Sequence, residues 1–200
     1  MATDRRSFIR TVSAVGGAAG LGVLTTLAHA ARPEAATPWS PHPVEKARVP
    51  LNILILGGTG FTGPEQVEHA IARGHRVTLF NRNQTRPGLF KGRVEEELIG
   101  DLNNDTSALE GKQFDVVLDN PTTFPAWVRN AAKYLAGNVK HYMFISTTST
   151  YADNGIIGLN EESPVKSMPA DLDPYTLDRA HASRYYGQLK VRAEEEVRQT

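Results

Sequence analysis

"LILGGTGFTG", residues 54–63, sets glycines at positions 57, 60 and 63 directly after a run of apolar residues. Leu51 to Leu56 is apolar except for Asn52, the pattern of a strand buried on both faces of a parallel sheet. Pro64 suits the first turn of a helix, and Val67, Ala70 and Ile71 follow at helical spacing until Gly74 stops it. The stretch is therefore a strand-to-helix turn. Side chains there would block a tight turn, the approach of a pyrophosphate to bare backbone N–H groups, and close packing of helix on strand. The helix N-terminus adds partial positive charge for such an anion. One or two glycines would suit any tight turn, but three in register after a buried strand point to dinucleotide binding.

Outward from this unit, strands and helices alternate. His75–Phe80 and Val94–Ile99 read as the second and third strands, Phe114–Asp119 as the fourth and Lys140–Ser146 as the fifth. A short helix capped by Asp105 is expected over Thr106–Glu110. Another opens at Pro125 and runs through Val128, Ala131, Ala132 and Leu135 to Gly137. Leu177–Arg198 reads as one long final helix, weakened in its middle by Gly187. This alternation predicts an α/β fold with a doubly wound parallel sheet of the Rossmann type, strand order 3-2-1-4-5. Trp127 and Tyr134, seven apart on one helix, read as core packing.

Composition bounds the function. The 200 residues carry 22 basic and 22 acidic side chains and no cysteine, so disulfides, thiolate nucleophiles and zinc–thiolate sites are excluded. Beyond the first thirty residues acids slightly outnumber bases, so nucleic acid is not an expected partner. His42, His69, His75, His141 and His181 form no H-x-x-x-H pair, and no metal site is expected.

The second strand ends "LFNRNQTR", where an NAD-binding fold would place a carboxylate on the adenosine ribose. Asn81 is neutral and Arg82 suits a 2′-phosphate, so NADP is favoured over NAD. For Asp101, in "GDL" after the third strand, two readings stand: a hydrogen bond to the adenine amino group, or a cap on the next turn. Downstream, "RYYGQLK" places Tyr186 and Lys190 four apart, hence on one helix face. A neighbouring ammonium favours the phenolate of a tyrosine whose ordinary pKa is about 10.

With "GGTGFTG", "FDVVLDN", "MFISTTSTYAD" and "YYGQLK" in this order, the chain resembles the short-chain dehydrogenase/reductase superfamily. The likeness is to its extended branch of NAD(P)-dependent epimerases, dehydratases and reductases, and it spans Leu51–Thr200. The resemblance implies a cofactor seated on Gly57, Gly60, Phe61, Thr62, Gly63, Arg82, Asp101 and Lys190. It implies hydride transfer with Tyr186 exchanging the proton of a substrate hydroxyl, Thr147 hydrogen-bonding the same oxygen, and Lys190 lowering the tyrosine pKa and holding the nicotinamide ribose. Dehydratases of this branch carry Asp-Glu after the hydroxyl residue, where this chain has Thr148 and Ser149. An epimerase or carbonyl reductase acting on a small, sugar-nucleotide-like or other hydroxyl or carbonyl substrate is therefore expected. The rival is a non-catalytic dinucleotide-binding module, a sensor or an RNA-associated relative. Members of the branch continue past the Tyr–Lys helix into a C-terminal substrate part, so residues 51–200 are expected to be an incomplete Rossmann domain, whether a fragment or a truncated form whose fifth strand needs cover. A second copy of the chain is left open as a partner.

Ahead of this domain, "RRSFIR" with Arg5, Arg6 and Phe8 resembles a twin-arginine signal; a mild apolar stretch to Leu27 and the small-x-small site Ala28-His29-Ala30 follow. The apolar stretch is too mild for a stable membrane span of about 20 residues. A cleaved signal over residues 1–30, a proline-rich linker over 31–50, and a periplasmic or otherwise exported location are expected.

Overall fold

The computed structural model describes residues 44–200. The signal expected over 1–30, and the expected linker up to residue 43, lie outside the described residues.

Five strands, β1 (Asn52–Leu56), β2 (Arg76–Asn81), β3 (Glu96–Ile99), β4 (Phe114–Asp119) and β5 (Val139–Phe144), pair in parallel in the order β3-β2-β1-β4-β5. In register, Leu54 lies between Thr78 and Val117, and Leu56 between Phe80 and Asp119. Leu54, Ile55 and Leu56 have no exposed surface, as the near-continuous apolar run requires of a central parallel strand. On one face Ile53, Ile55, Val77 and Leu79 pack against Val67 and Ala70 of α1 (Gly63–Ala72). On the other, Leu54, Leu56, Phe80 and Val117 meet Trp127, Ala131 and Leu135 of α2 (Pro125–Leu135) and Leu189 of the last helix. Full burial of each such side chain contributes about 1.5–3 kcal/mol.

The chain winds β1 to β3 in one direction and returns for β4 and β5 in the other, so the sheet reverses its order beside the C-terminal end of β1. At such a switch point the flanking loops part and leave a crevice.

Three local expectations change. The long helix expected over Leu177–Arg198 is two: α3 (Arg179–Ala182) and α4 (Tyr186–Gln199). The break comes from packing, since Leu177, Ala182 and Tyr185 must all turn onto the same core cluster. The helix expected over Thr106–Glu110 is a single 3-10 turn, Ser107–Leu109, with Asp105 Oδ1 accepting from the Ser107 N–H at 2.9 Å. The third strand starts at Glu96, because the chain before it turns around the buried Phe90.

Candidate active site

The strand-to-helix turn is built as its glycines require. Gly57 takes φ +74°, a conformation that costs glycine little. A Cβ on Gly63 would lie 2.5 Å from the Gly58 carbonyl carbon and 2.7 Å from the Gly57 oxygen, so helix α1 can pack this closely only without a side chain there. The Thr62 hydroxyl makes no cap bond, which leaves the first N–H groups of α1 without a side-chain acceptor.

A cavity of about 270 Å³ opens over this turn, at the C-terminal ends of β1 and β2. It brings together Gly57, Gly60, Arg82 and Asp101 of the expected residues. Asn81, also in its wall, is nearly buried: its Oδ1 accepts from the Asn83 N–H at 2.7 Å, while its Nδ2 has no partner. A buried donor left without a partner is costly, and the residue that carries it lines the cavity. Asp101 Oδ1 accepts from the Asn103 N–H at 3.0 Å, which closes the turn after β3 while the residue still lines the cavity. Phe61 and Thr62 carry exposed side chains and are not among the residues that line the cavity. Gly63 sits behind it, against the backbone of residues 57 and 58.

Arg86 was not legible from spacing. It holds φ +47°, unusual for a side chain other than glycine, and its Nε donates to the Thr59 carbonyl at 3.1 Å while a second guanidinium nitrogen donates to the Gly60 carbonyl. In a planar trans peptide the N–H points opposite to the C=O, so gripping the Gly60 oxygen turns the Phe61 N–H away from Arg86. The arginine thus fixes the peptide planes of the turn. Its signal in the sequence is slight: an arginine before Pro87, where the helical conformation is disfavoured.

The second group lies where β5 meets α4. Lys190 is 2% exposed; its Nζ donates to the Thr122 carbonyl at 2.8 Å and the Ile145 carbonyl at 2.6 Å, and sits 3.9 Å from the centre of the Phe144 ring. Burial pulls its pKa down to about 8, against the opposing pull of Asp119 and Glu194. Tyr186, at the start of the same helix, is 39% exposed. Thr147 Oγ1 accepts from the Ser149 N–H at 3.2 Å and so anchors the 3-10 turn Thr148–Thr150, leaving its own hydroxyl proton to donate elsewhere. That turn lies directly on α4: a Cβ on Gly187 would stand 2.1 Å from the Ser149 oxygen.

The loop after β4 joins the two groups. Pro121 lines the cavity and packs on Gly57, and the next residue supplies the carbonyl that holds Lys190. Beneath it Asp119 is fully buried, accepting from the Tyr142 hydroxyl at 2.7 Å and the Thr122 N–H at 3.3 Å. Burial pushes the Asp119 carboxyl up and, with that carboxylate beside it, pushes the Tyr142 phenol up as well. This network was also absent from the sequence reading; an acid closing the apolar run Val116–Leu118 is its one visible sign.

A parallel sheet ordered 3-2-1-4-5, helices on both faces and a glycine turn at the switch point define a Rossmann-type nucleotide-binding domain. The NAD dependent epimerase/dehydratase family matches residues 53–194, and the chain belongs to that family. A photosystem II assembly factor, Ycf39, from Trieres chinensis is 30% identical over 112 residues, covering 48% of this chain and 34% of the relative. The Bordetella bronchiseptica enzyme WbmG, solved with NAD and UDP, is 17% identical with a TM-score of 0.60, over 76% of this chain and 51% of that one. The UDP-Glc/GlcNAc 4-epimerase from Campylobacter jejuni is 20% identical with a TM-score of 0.55, over 74% and 48%. The chain thus spans about half the length of these solved structures; at such identities the likeness shows the fold.

Proposed function

We propose that the chain binds NADP through the cavity over the glycine turn and supports hydride transfer at a hydroxyl or carbonyl carbon of a small, sugar-nucleotide-like or related substrate. The observation that carries the reading is the unpaired Asn81 amide in the wall of that cavity, beside a turn whose glycines leave the main chain bare. A 2′-phosphate only accepts hydrogen bonds, so the Asn81 donor and the Arg82 guanidinium suit it, whereas a carboxylate in place of Asn81 would suit a free ribose hydroxyl. When bound, a nicotinamide cofactor supplies the hydride chemistry. Lys190 spends two of its three N–H groups on the Thr122 and Ile145 carbonyls, leaving one for a ribose hydroxyl. Tyr186 exchanges the proton of the substrate oxygen, and Thr147 donates to the same atom. Thr148 and Ser149, in place of an acid pair, argue for epimerase or reductase chemistry over water elimination. Export under a twin-arginine-type leader belongs to the same reading, supported by Arg5-Arg6 and Ala28-His29-Ala30.

Fluorescence titration of the full chain is expected to show NADPH binding at least about tenfold tighter than NADH, and Asn81→Asp to reverse the order. Binding of neither nucleotide would leave the turn without a ligand and end the proposal. With UDP-sugars and small carbonyl compounds as probes, Tyr186→Phe is expected to lower kcat by about 10²-fold or more while leaving NADPH affinity intact. Undiminished turnover removes Tyr186 as the base. Similarity to an assembly factor favours one second reading, a binding module without turnover. It would show as tight NADPH binding with no turnover in the wild type.

A further inference from the structure

The cavity over the glycine turn has a wall that the sequence reading did not assign. Arg179 opens α3, the short helix just ahead of Tyr186, and lines the same cavity as Asn81, Arg82 and Asp101. Its guanidinium carbon lies 5.3 Å from the centre of the Trp127 ring. Trp127 is itself fixed, packed against Phe124 with ring centres 5.2 Å apart and donating Nε1 to Asn103 Oδ1 at 3.1 Å. Asp178 caps α3 by accepting from the Ala180 N–H at 2.9 Å, and its carboxylate is engaged with His181 Nδ1 at 2.7 Å. Among the described residues neither Arg82 nor Arg179 makes a salt bridge.

The walls therefore hold two guanidinium groups and one unpaired amide donor, against a single carboxylate, Asp101, already engaged with the Asn103 N–H. Such a surplus of donors calls for an acceptor-rich anion, and a flat guanidinium held over an aromatic face is pre-organised for a phosphate.

We infer that Arg179, seated on Trp127, is the second arm of a two-arginine clamp, opposite Arg82, for the 2′-phosphate of the adenosine end. The inference rests on the proposed NADP reading and adds to it a specificity residue 97 positions further along the chain, so that discrimination does not end at the second strand. Arg179 is exposed and makes no contact on which the core depends, so its replacement is expected to leave thermal stability unchanged.

The test compares 2′,5′-ADP with 5′-AMP, two probes that differ only in the 2′-phosphate, by calorimetric titration of the full chain. The wild type is expected to prefer 2′,5′-ADP by at least about tenfold. Arg179→Gln is expected to erase about tenfold of that affinity while 5′-AMP binding holds within about twofold, and Arg179→Lys to recover part of it. If Arg179→Gln weakens both probes equally, or neither, the clamp is wrong while the NADP reading survives. If the wild type itself does not discriminate between the probes, the NADP reading fails and the clamp with it.

Discussion

Gly187→Ala is expected to destabilise the protein by about 2–3 kcal/mol, although alanine is the better helix former by about 1 kcal/mol. The two effects have opposite signs, so the measurement is decisive. Gly187 lies in α4, where helix propensity alone would make alanine an improvement. The added Cβ, however, would stand 2.1 Å from the Ser149 oxygen and 3.0 Å from the Ser149 carbonyl carbon and Lys166 Cδ. The lysine tail can move; the Ser149 peptide cannot do so freely. It is braced by Thr147, which accepts from the Ser149 N–H, and by the Thr150 carbonyl, which accepts from the Lys166 N–H at 2.8 Å. Relief must come from pushing α4 away from the Thr148–Thr150 turn, which separates Thr147 from Tyr186 and drags on the buried Lys190 and Leu189. Urea denaturation should show a lower midpoint with an unchanged slope, and NADPH turnover should fall with it. A variant as stable as the wild type, or more so, would mean that this glycine is only a soft spot in a helix and that the turn and α4 do not need their close approach.

The contrast between that glycine and those of residues 57–63 shows what a sequence discloses. The glycine turn was legible because its glycines lie within ten consecutive residues, after a strand whose apolar run announces its burial and before a helix opened by proline. The doubly wound parallel sheet followed from the alternation of elements together with the right-handed crossover rule, and the order 3-2-1-4-5 from the Rossmann type that the glycine turn indicates. The spacing of Tyr186 and Lys190 was legible too, but their unequal burial was not. Equal helical phase says nothing about where a helix begins, and here Tyr186 opens α4 while Lys190 is driven under the sheet ends. Arg86, Asp119, Thr122 and Arg179 reach their partners across 23 to 68 positions. No local period marks such contacts; they exist only once the crossovers have stacked the elements. The one long helix expected over Leu177–Arg198 failed for the same reason: "DRAHASRYYGQ" contains no breaker before Gly187, and the break is imposed by Leu177, Ala182 and Tyr185 turning onto one core cluster.

Removal of Asp119 is expected to have the largest effect on stability of any single change at the site. Its carboxylate is fully buried at the end of β4, where it accepts from Tyr142 and from the Thr122 N–H, and its charge lies close enough to Lys190 to oppose the lysine's desolvation. Asp119→Ala strands the phenol and the N–H and leaves the ammonium with no buried counter-charge, at a cost of about 3–5 kcal/mol. Asp119→Asn keeps the volume and one acceptor, and about 1–2 kcal/mol is expected. The asparagine variant also isolates a pH signature. Burial raises the Asp119 pKa in the fold above the unfolded value of about 3.9. Through the window between those two values the native state keeps a proton that the unfolded chain has released, so stability is fully present below the unfolded pKa and is lost as pH rises through the folded one. Lys190 acts oppositely. With its folded pKa near 8 and an unfolded value of about 10.4, it binds its proton more tightly in the unfolded chain, so between those values its contribution rises with pH. Equilibrium denaturation of wild type and Asp119→Asn over a pH series that starts near the unfolded carboxylate value of about 3.9 tests the aspartate. The difference between the curves carries the aspartate together with its coupling to Lys190 and Tyr142, which lie beside it. It should narrow as the pH rises above about 3.9, since ionisation of the aspartate weakens only the wild type. Parallel curves, or an alanine variant that loses less than about 1 kcal/mol, would show that Asp119 is not the buried acid on which the Thr122 loop, Tyr142 and Lys190 are assembled.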